Sequence, residues 1–190
     1  MRYRTYRGYS LTPIWGIMIV CFLVYIATLI SRELVFLLAL QRATFLLMPW
    51  TILTNLFTHI SLWHLLANMM TLYFFGSFST RLIGTRNFLI IYFLGGIMGN
   101  IFCLLLTSSP VIGASGAIFA LGGTLTVLTP KLRVFMFPIP VPLPLWVAII
   151  GGFIVLTLFP NVAWQGHLGG LILGVIAGFV LRNRIRTLLR

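Results

Sequence analysis

The sequence predicts an all-α membrane protein, a single domain over residues 1–190 built as a bundle of six transmembrane helices with a long interfacial first loop. Three observations carry this. Of its residues, 60% are hydrophobic and 7% charged, where a soluble domain carries roughly a quarter charged. The apolar residues fall into runs of helix length, and a spanning helix needs about 20 of them. The 13 basic residues cluster at the ends of those runs, which is how chains set their membrane orientation rather than how they bind phosphate. Membrane lipid is therefore the expected surrounding, and no nucleic acid is expected.

The first apolar run, Pro13 to Ile30, follows Arg2, Arg4 and Arg7. It is too long for a signal peptide and lacks a small-residue cleavage site, so it reads as the first membrane helix. Ser31 to Thr58 is broken by Arg32, Glu33 and Arg42, and reads as a loop lying in or on the interface with Trp50 as an aromatic anchor. Ser61 is a plausible N-cap for a second helix that passes through His64, Asn68 and Tyr73 to about Ile83. The third span runs from Asn87 to Leu106. A polar connection, Thr107 to Gly113, leads to a fourth segment, Ser115 to Thr129. That segment is too short for a hydrocarbon core of ~30 Å at a rise of ~1.5 Å per residue. Its start must lie below the membrane surface, or the bilayer must thin. Pro138, Pro140, Pro142 and Pro144 predict an extended connection. A fifth span follows from about Leu145 to Leu158 and a sixth from about Gly166 to Leu181.

With six spans both termini share one side of the membrane. All of the basic residues except Arg32 and Arg42 fall on that side, so the positive-inside rule places both termini in the cytoplasm of a multi-pass cell-membrane protein. The arginines of the C-terminal tail can also meet anionic headgroups.

Glu33 is the sole carboxylate side chain and there is no Asp. That removes an aspartyl protease, which needs two carboxylates, a zinc protease with its His-Glu-x-x-His helix, and any Ser-His-Asp triad. Cys21 and Cys103 sit inside apolar runs without metal or redox spacing and read as packing residues. The polar residues left inside apolar segments are His59, His64, Asn68, Asn100, Ser115 and His167. Such residues are functional candidates, with helix-to-helix hydrogen bonding as the plain alternative. Asn100 reads as structural.

Ser115, in Gly113-Ala114-Ser115-Gly116, stands where a loop enters a helix. There the unpaired backbone N–H groups and the positive end of the dipole suit an oxyanion. His167 opens the last span and is followed by Gly170, Gly174 and Gly178 on its own face. Gly116, Ala120 and Gly123 make a comparable stripe on the fourth span, so the two backbones can approach until Ser115 and His167 hydrogen-bond. A packing stripe with a histidine at its end remains the alternative. His64 and Asn68, four apart, share a helix face, and both can donate hydrogen bonds. A metal site from His59, His64 and His167 is the competing reading, but no carboxylate is at hand to assist or orient them. No metal and no cofactor is expected.

Together these pieces resemble the rhomboid family of intramembrane serine proteases. They are His59-x4-His64-x3-Asn68, Gly113-Ala114-Ser115-Gly116 and His167-Leu168-Gly169-Gly170 with Gly174, in the family's order. The resemblance implies a rhomboid-like fold, a catalytic Ser115–His167 dyad, and an oxyanion hole from the Ser115 backbone N–H, His64 and Asn68. His59, Gly113, Phe119, Gly170 and Gly174 would support the site, and the substrates would be transmembrane proteins. Three positions depart from the family's usual pattern. Thr51 follows Trp50 where Arg is common, Ser79 stands where Glu is common, and Phe119 replaces a Tyr that commonly stacks under the histidine. A proteolytically inactive member that binds membrane helices is the alternative within the family. A small transporter or a structural membrane protein are alternatives outside it, disfavoured by the clustering of polar residues at one depth.

Overall fold

The computed structural model describes residues 8–136, 139–160 and 162–188. Arg2, Arg4, Arg7, Pro138 and Arg190 lie outside the described residues, as do the side chains of Pro140, Arg184 and Arg186. Helix α1, Thr12–Ile30, starts on a proline in its first turn, where the missing N–H is no loss. It buries Ile14, Ile17, Cys21 and Thr28, a stripe at helical spacing. Its other faces leave Ile19, Leu23, Ile26 and Ile30 exposed, as a helix bordered by lipid would.

The stretch that reads as one long loop is partly helical. It contains α2, Glu33–Leu38, then α3, Thr51–Thr54, continued by a 3₁₀ turn at Asn55–Phe57. The indole Nε1 of Trp50 donates to the Leu37 carbonyl at 3.0 Å, and Thr54 Oγ1 donates to the Leu38 carbonyl at 3.0 Å. Short helical turns satisfy backbone groups locally, which a segment beside lipid requires.

Helix α4, Leu62–Leu106, has 45 residues. Unbroken it would reach about 68 Å, more than twice a hydrocarbon core. It is broken at Gly84, whose φ of 83° and ψ of 159° belong to a region open essentially to glycine alone. The sequence places this break between Ile83 and Asn87, beside Arg81 and Arg86. At its start Ser61 Oγ accepts from the His64 backbone N–H at 3.2 Å. At the break Thr85 Oγ1 accepts from the Ser10 backbone N–H at 2.8 Å, and Asn87 Nδ2 donates to the Ile83 carbonyl at 2.7 Å. Gly84→Ala is expected to destabilise the protein by roughly 1–3 kcal/mol, read as a lower midpoint of unfolding in detergent micelles. An unchanged midpoint would mean that the break does not depend on glycine.

Helix α5, Ser115–Leu128, is the centre of the bundle. Every residue from 117 to 125 is buried, as expected of a helix apolar all round. It is packed by α4, by α6, Leu145–Thr157, and by α7, Trp164–Leu188. The proline-rich connection before α6 is not a plain extended linker. It folds into a hairpin of β1, Arg133–Met136, and β2, Ile139–Pro144, with Val134 opposite Leu143, and among the described residues the other named elements are helical. A two-stranded ribbon has only edges, where proline is tolerated. Leu132 and Val134 pack against the cluster that holds Leu145 and Ile149.

Among the described residues, Thr12–Ile30, Leu62–Leu106 and Trp164–Arg182 are long and apolar enough to cross a membrane, while α5 and α6 are shorter apolar helices. The chain is a helical membrane bundle.

Candidate active site

Ser115 is the first residue of α5, so its backbone N–H is one of the groups that an α-helix leaves unpaired at its start. The approach to it is fixed by Gly113, whose φ of 119° suits glycine alone. A Cβ there would lie 2.8 Å from Cε1 and 2.9 Å from Nε2 of His64, and 3.9 Å from Ser115 Oγ. The absent side chain thus leaves room for the His64 imidazole beside the serine hydroxyl.

His167 stands in the first turn of α7 and is 6% exposed. Its Nε2 lies 2.7 Å from Ser115 Oγ. With the imidazole neutral and its proton on Nδ1, the serine hydroxyl donates to Nε2. His167 Nδ1 is buried and, among the described residues, makes no hydrogen bond. Orientation comes from Phe119, which stacks on the imidazole with centroids 4.6 Å apart and planes 27° apart. Phe119 is in turn met edge-on by Phe153 of α6 at 6.1 Å.

The separation of Ser115 and His167 is set by backbone against backbone. A Cβ on Gly170 would collide with the Gly116 carbonyl, and one on Gly174 with the Ala120 carbonyl. A Cβ on Gly178 would come 3.0 Å from the Thr124 carbonyl oxygen. Thr124 Oγ1 adds a hydrogen bond to the Gly174 carbonyl at 2.9 Å. These contacts run from Gly116 to Thr124 on α5 and from Gly170 to Gly178 on α7, with Ser115 and His167 at one end.

His59 is buried, and its ring meets His64 edge-on with centroids 5.0 Å apart. Its ring contact is thus with His64. Asn68 is placed differently from a residue whose amide points wholly at the serine. Its Nδ2 donates to the carbonyl of His64 at 2.8 Å, one turn back on its own helix, and its Oδ1 is buried without a partner among the described residues. One amide hydrogen remains for another acceptor. The i−4 carbonyl is the nearest acceptor to any Asn in a helix, a competition that spacing alone does not reveal. Among the described residues no group of three His, Cys, Asp or Glu side chains is placed to hold a metal ion.

Asn55 has no catalytic look in the sequence, yet it touches the site's scaffold. Its backbone carbonyl accepts from the Gly113 N–H at 2.9 Å, and an isolated bridge pairs Leu40 with Val111 through bonds of 3.0 and 2.8 Å. The first loop thus holds the segment that delivers Ser115. Backbone acceptors carry no sequence signal, so only the placement reveals them.

Chemically, a hydroxyl paired with an imidazole beside free backbone N–H groups can carry out acyl transfer. The family description "Rhomboid domain" matches residues 46–184. Rhomboid protein 1, mitochondrial, of Saccharomyces cerevisiae is 28% identical over 156 residues, covering 71% of this chain and 42% of that protein. Rhomboid protease GluP of Bacillus subtilis is 35% identical over 133 residues, covering 70% and 26%. Inactive RHOMBOID-like protein 8 of Arabidopsis thaliana is 38% identical over 77 residues, covering 40% and 22%. The chain spans less than half the length of each of these relatives.

Proposed function

The chain belongs to the rhomboid family, and on that premise we propose that it is an intramembrane serine endopeptidase with Ser115 as nucleophile and His167 as base. The observation that supports this most is the 2.7 Å approach of His167 Nε2 to Ser115 Oγ. Neutral His167 takes the hydroxyl proton as Oγ attacks a peptide carbonyl, and the tetrahedral oxyanion faces the Ser115 backbone N–H, His64 and the free amide hydrogen of Asn68. His167 then gives the proton to the leaving amine. Water, deprotonated by the same imidazole, releases the acyl group from Ser115. Without a carboxylate to steady the imidazolium, turnover is slower than in a Ser-His-Asp enzyme.

The proposed topology has six spans: α1, the two arms of α4 on either side of Gly84, α5, α6 and α7. Both termini are cytoplasmic in the cell membrane, an orientation supported by the basic residues on that side. At 14 residues α5 reaches about 21 Å, so Ser115 sits below the outer surface. The substrate is then a membrane-spanning segment that unwinds near its outer end, because an intact helix shields its peptide bonds. Family resemblance implies small residues before the cut and helix breakers after it.

The test is labelling of the detergent-solubilised protein with a fluorophosphonate, in which the Ser115 oxygen bonds phosphorus, fluoride leaves and His167 takes the proton. Stoichiometric labelling is expected for the parent protein and none for Ser115→Ala. Well-folded protein that neither labels nor cleaves a reporter transmembrane segment would sink the enzyme reading. It would leave a proteolytically inactive member of the family that binds membrane helices; a relative named inactive bears on the inactivity alone.

A further inference from the structure

Asn55 and Asn100 are both buried and form a reciprocal amide pair. Each Nδ2 donates to the other's Oδ1 at 2.8 Å, and Asn100 Nδ2 also donates to the Ile52 carbonyl at 2.7 Å. The orientation of the pair is dictated by chemistry. A carbonyl can only accept, so Asn100 must present its NH₂ to Ile52, and its Oδ1 then requires the NH₂ of Asn55. The peptide carbonyl of the same Asn55 accepts from Gly113, two residues before the nucleophile.

The residue before Asn100 meets the other half of the dyad. A Cβ on Gly99 would lie 2.5 Å from the carbonyl oxygen of Gly166, the neighbour of His167, and one on Gly116 would lie 3.1 Å from that same oxygen. One turn of α4 therefore touches the base's entry directly and the nucleophile's entry through Asn55. We infer that Asn100, acting through Asn55, is a positioning residue that holds Ser115 in register with His167, with the Gly99–Asn100 turn as their common reference. The inference rests on the proposed function. It complements the Phe119 stack, which orients the imidazole and leaves the serine to be aligned from its own side.

The test uses the full chain in detergent micelles with a fluorophosphonate. Asn100→Ala and Asn55→Ala are each expected to lower the labelling rate constant per reactive site about 10- to 100-fold, the range that a small misplacement of a reacting atom produces. The final labelled fraction should stay at the parent's level. The double variant should be no slower than the slower single one, as expected for one shared interaction. Asn87→Ala, which removes a comparable amide-to-carbonyl bond at the Gly84 break, should label at the parent rate. A merely structural role would lower the labelled fraction and the unfolding midpoint but leave the rate constant per site unchanged. That result would overturn the inference, as would additive losses in the double variant.

A second arm separates failure of this inference from failure of the protease reading. In a Ser115→Cys background the thiol can give its proton to His167 whether or not the parent is a protease. Iodoacetamide should alkylate it about tenfold faster at pH 7 with Asn100 intact than with Asn100→Ala. Cys21 and Cys103 are buried, and the Ser115 parent supplies the background. Equal alkylation rates would overturn the positioning role on their own. A parent that fails to label with fluorophosphonate, together with the tenfold difference here, would overturn the protease reading alone.

Discussion

His167→Asn is expected to lower kcat for a transmembrane reporter roughly 10²- to 10⁴-fold, the usual contribution of a general acid–base group. KM should hardly move, because proton transfer stabilises the transition state and not the bound substrate. The parent should also cleave faster as pH rises through the titration of His167, since only the neutral imidazole can accept the Ser115 proton. That inflection should vanish from the residual activity of the variant. The variant gives up the imidazole's stack on Phe119, worth about 0.5–1.5 kcal/mol, but keeps the glycine contacts below it, so the unfolding midpoint should fall only modestly beside the rate. A variant that kept its rate and its pH profile would assign the base elsewhere. His64, adjacent to Gly113 and Ser115, would be the next residue to test.

The second large effect concerns a position with no functional group. Gly174→Ala adds a single carbon that would collide with the Ala120 carbonyl and lie 2.7 Å from the Ala120 Cα. Backbone cannot swing aside as a side chain can, so α5 and α7 must separate. Overpacking of this kind costs about 1–3 kcal/mol or more. Because the dyad bridges the same two helices, the separation should also abolish fluorophosphonate labelling. Gly151→Ala on α6 is the matched comparison, since among the described residues no atom outside its own helix lies within 4 Å of the added carbon. There the better helix propensity of Ala should leave stability unchanged or raise it by up to about 1 kcal/mol. Equal unfolding midpoints and equal labelling in the two variants would refute a separation set by backbone contact.

Residues whose meaning lies in type and spacing were legible in the sequence. Ser61 caps its helix, Gly84 falls in the short polar break between two apolar runs, and the stripes of Gly116, Ala120 and Gly170, Gly174 are the ones in contact. What the sequence hid depends on pairing across space. Four alternating prolines signal extended backbone but not that Val134 will face Leu143. Ser31 to Thr58 reads as loop because Arg32, Glu33 and Arg42 break it, yet Glu33–Leu38 is helical, since local turns satisfy its backbone better than an irregular path. Spacing places Asn68 on one helix face with His64 but does not reveal that its amide turns to the His64 carbonyl. Asn55 acts through its peptide oxygen, which every residue possesses.

The backbone-to-backbone seam between α5 and α7 also bears on which parts of this protein can vary. Where two helices meet through side chains, a change in one can be compensated by a change in its neighbour. At Gly170 and Gly174 the opposing surface is the peptide chain itself, which no substitution can trim. In a saturation library scored by labelling, these positions should tolerate almost nothing. Ile19, Leu23 and Ile26 of α1, turned outward, should accept nearly any apolar residue. Tolerance would then map the dyad's supports as a narrow intolerant line inside a permissive shell.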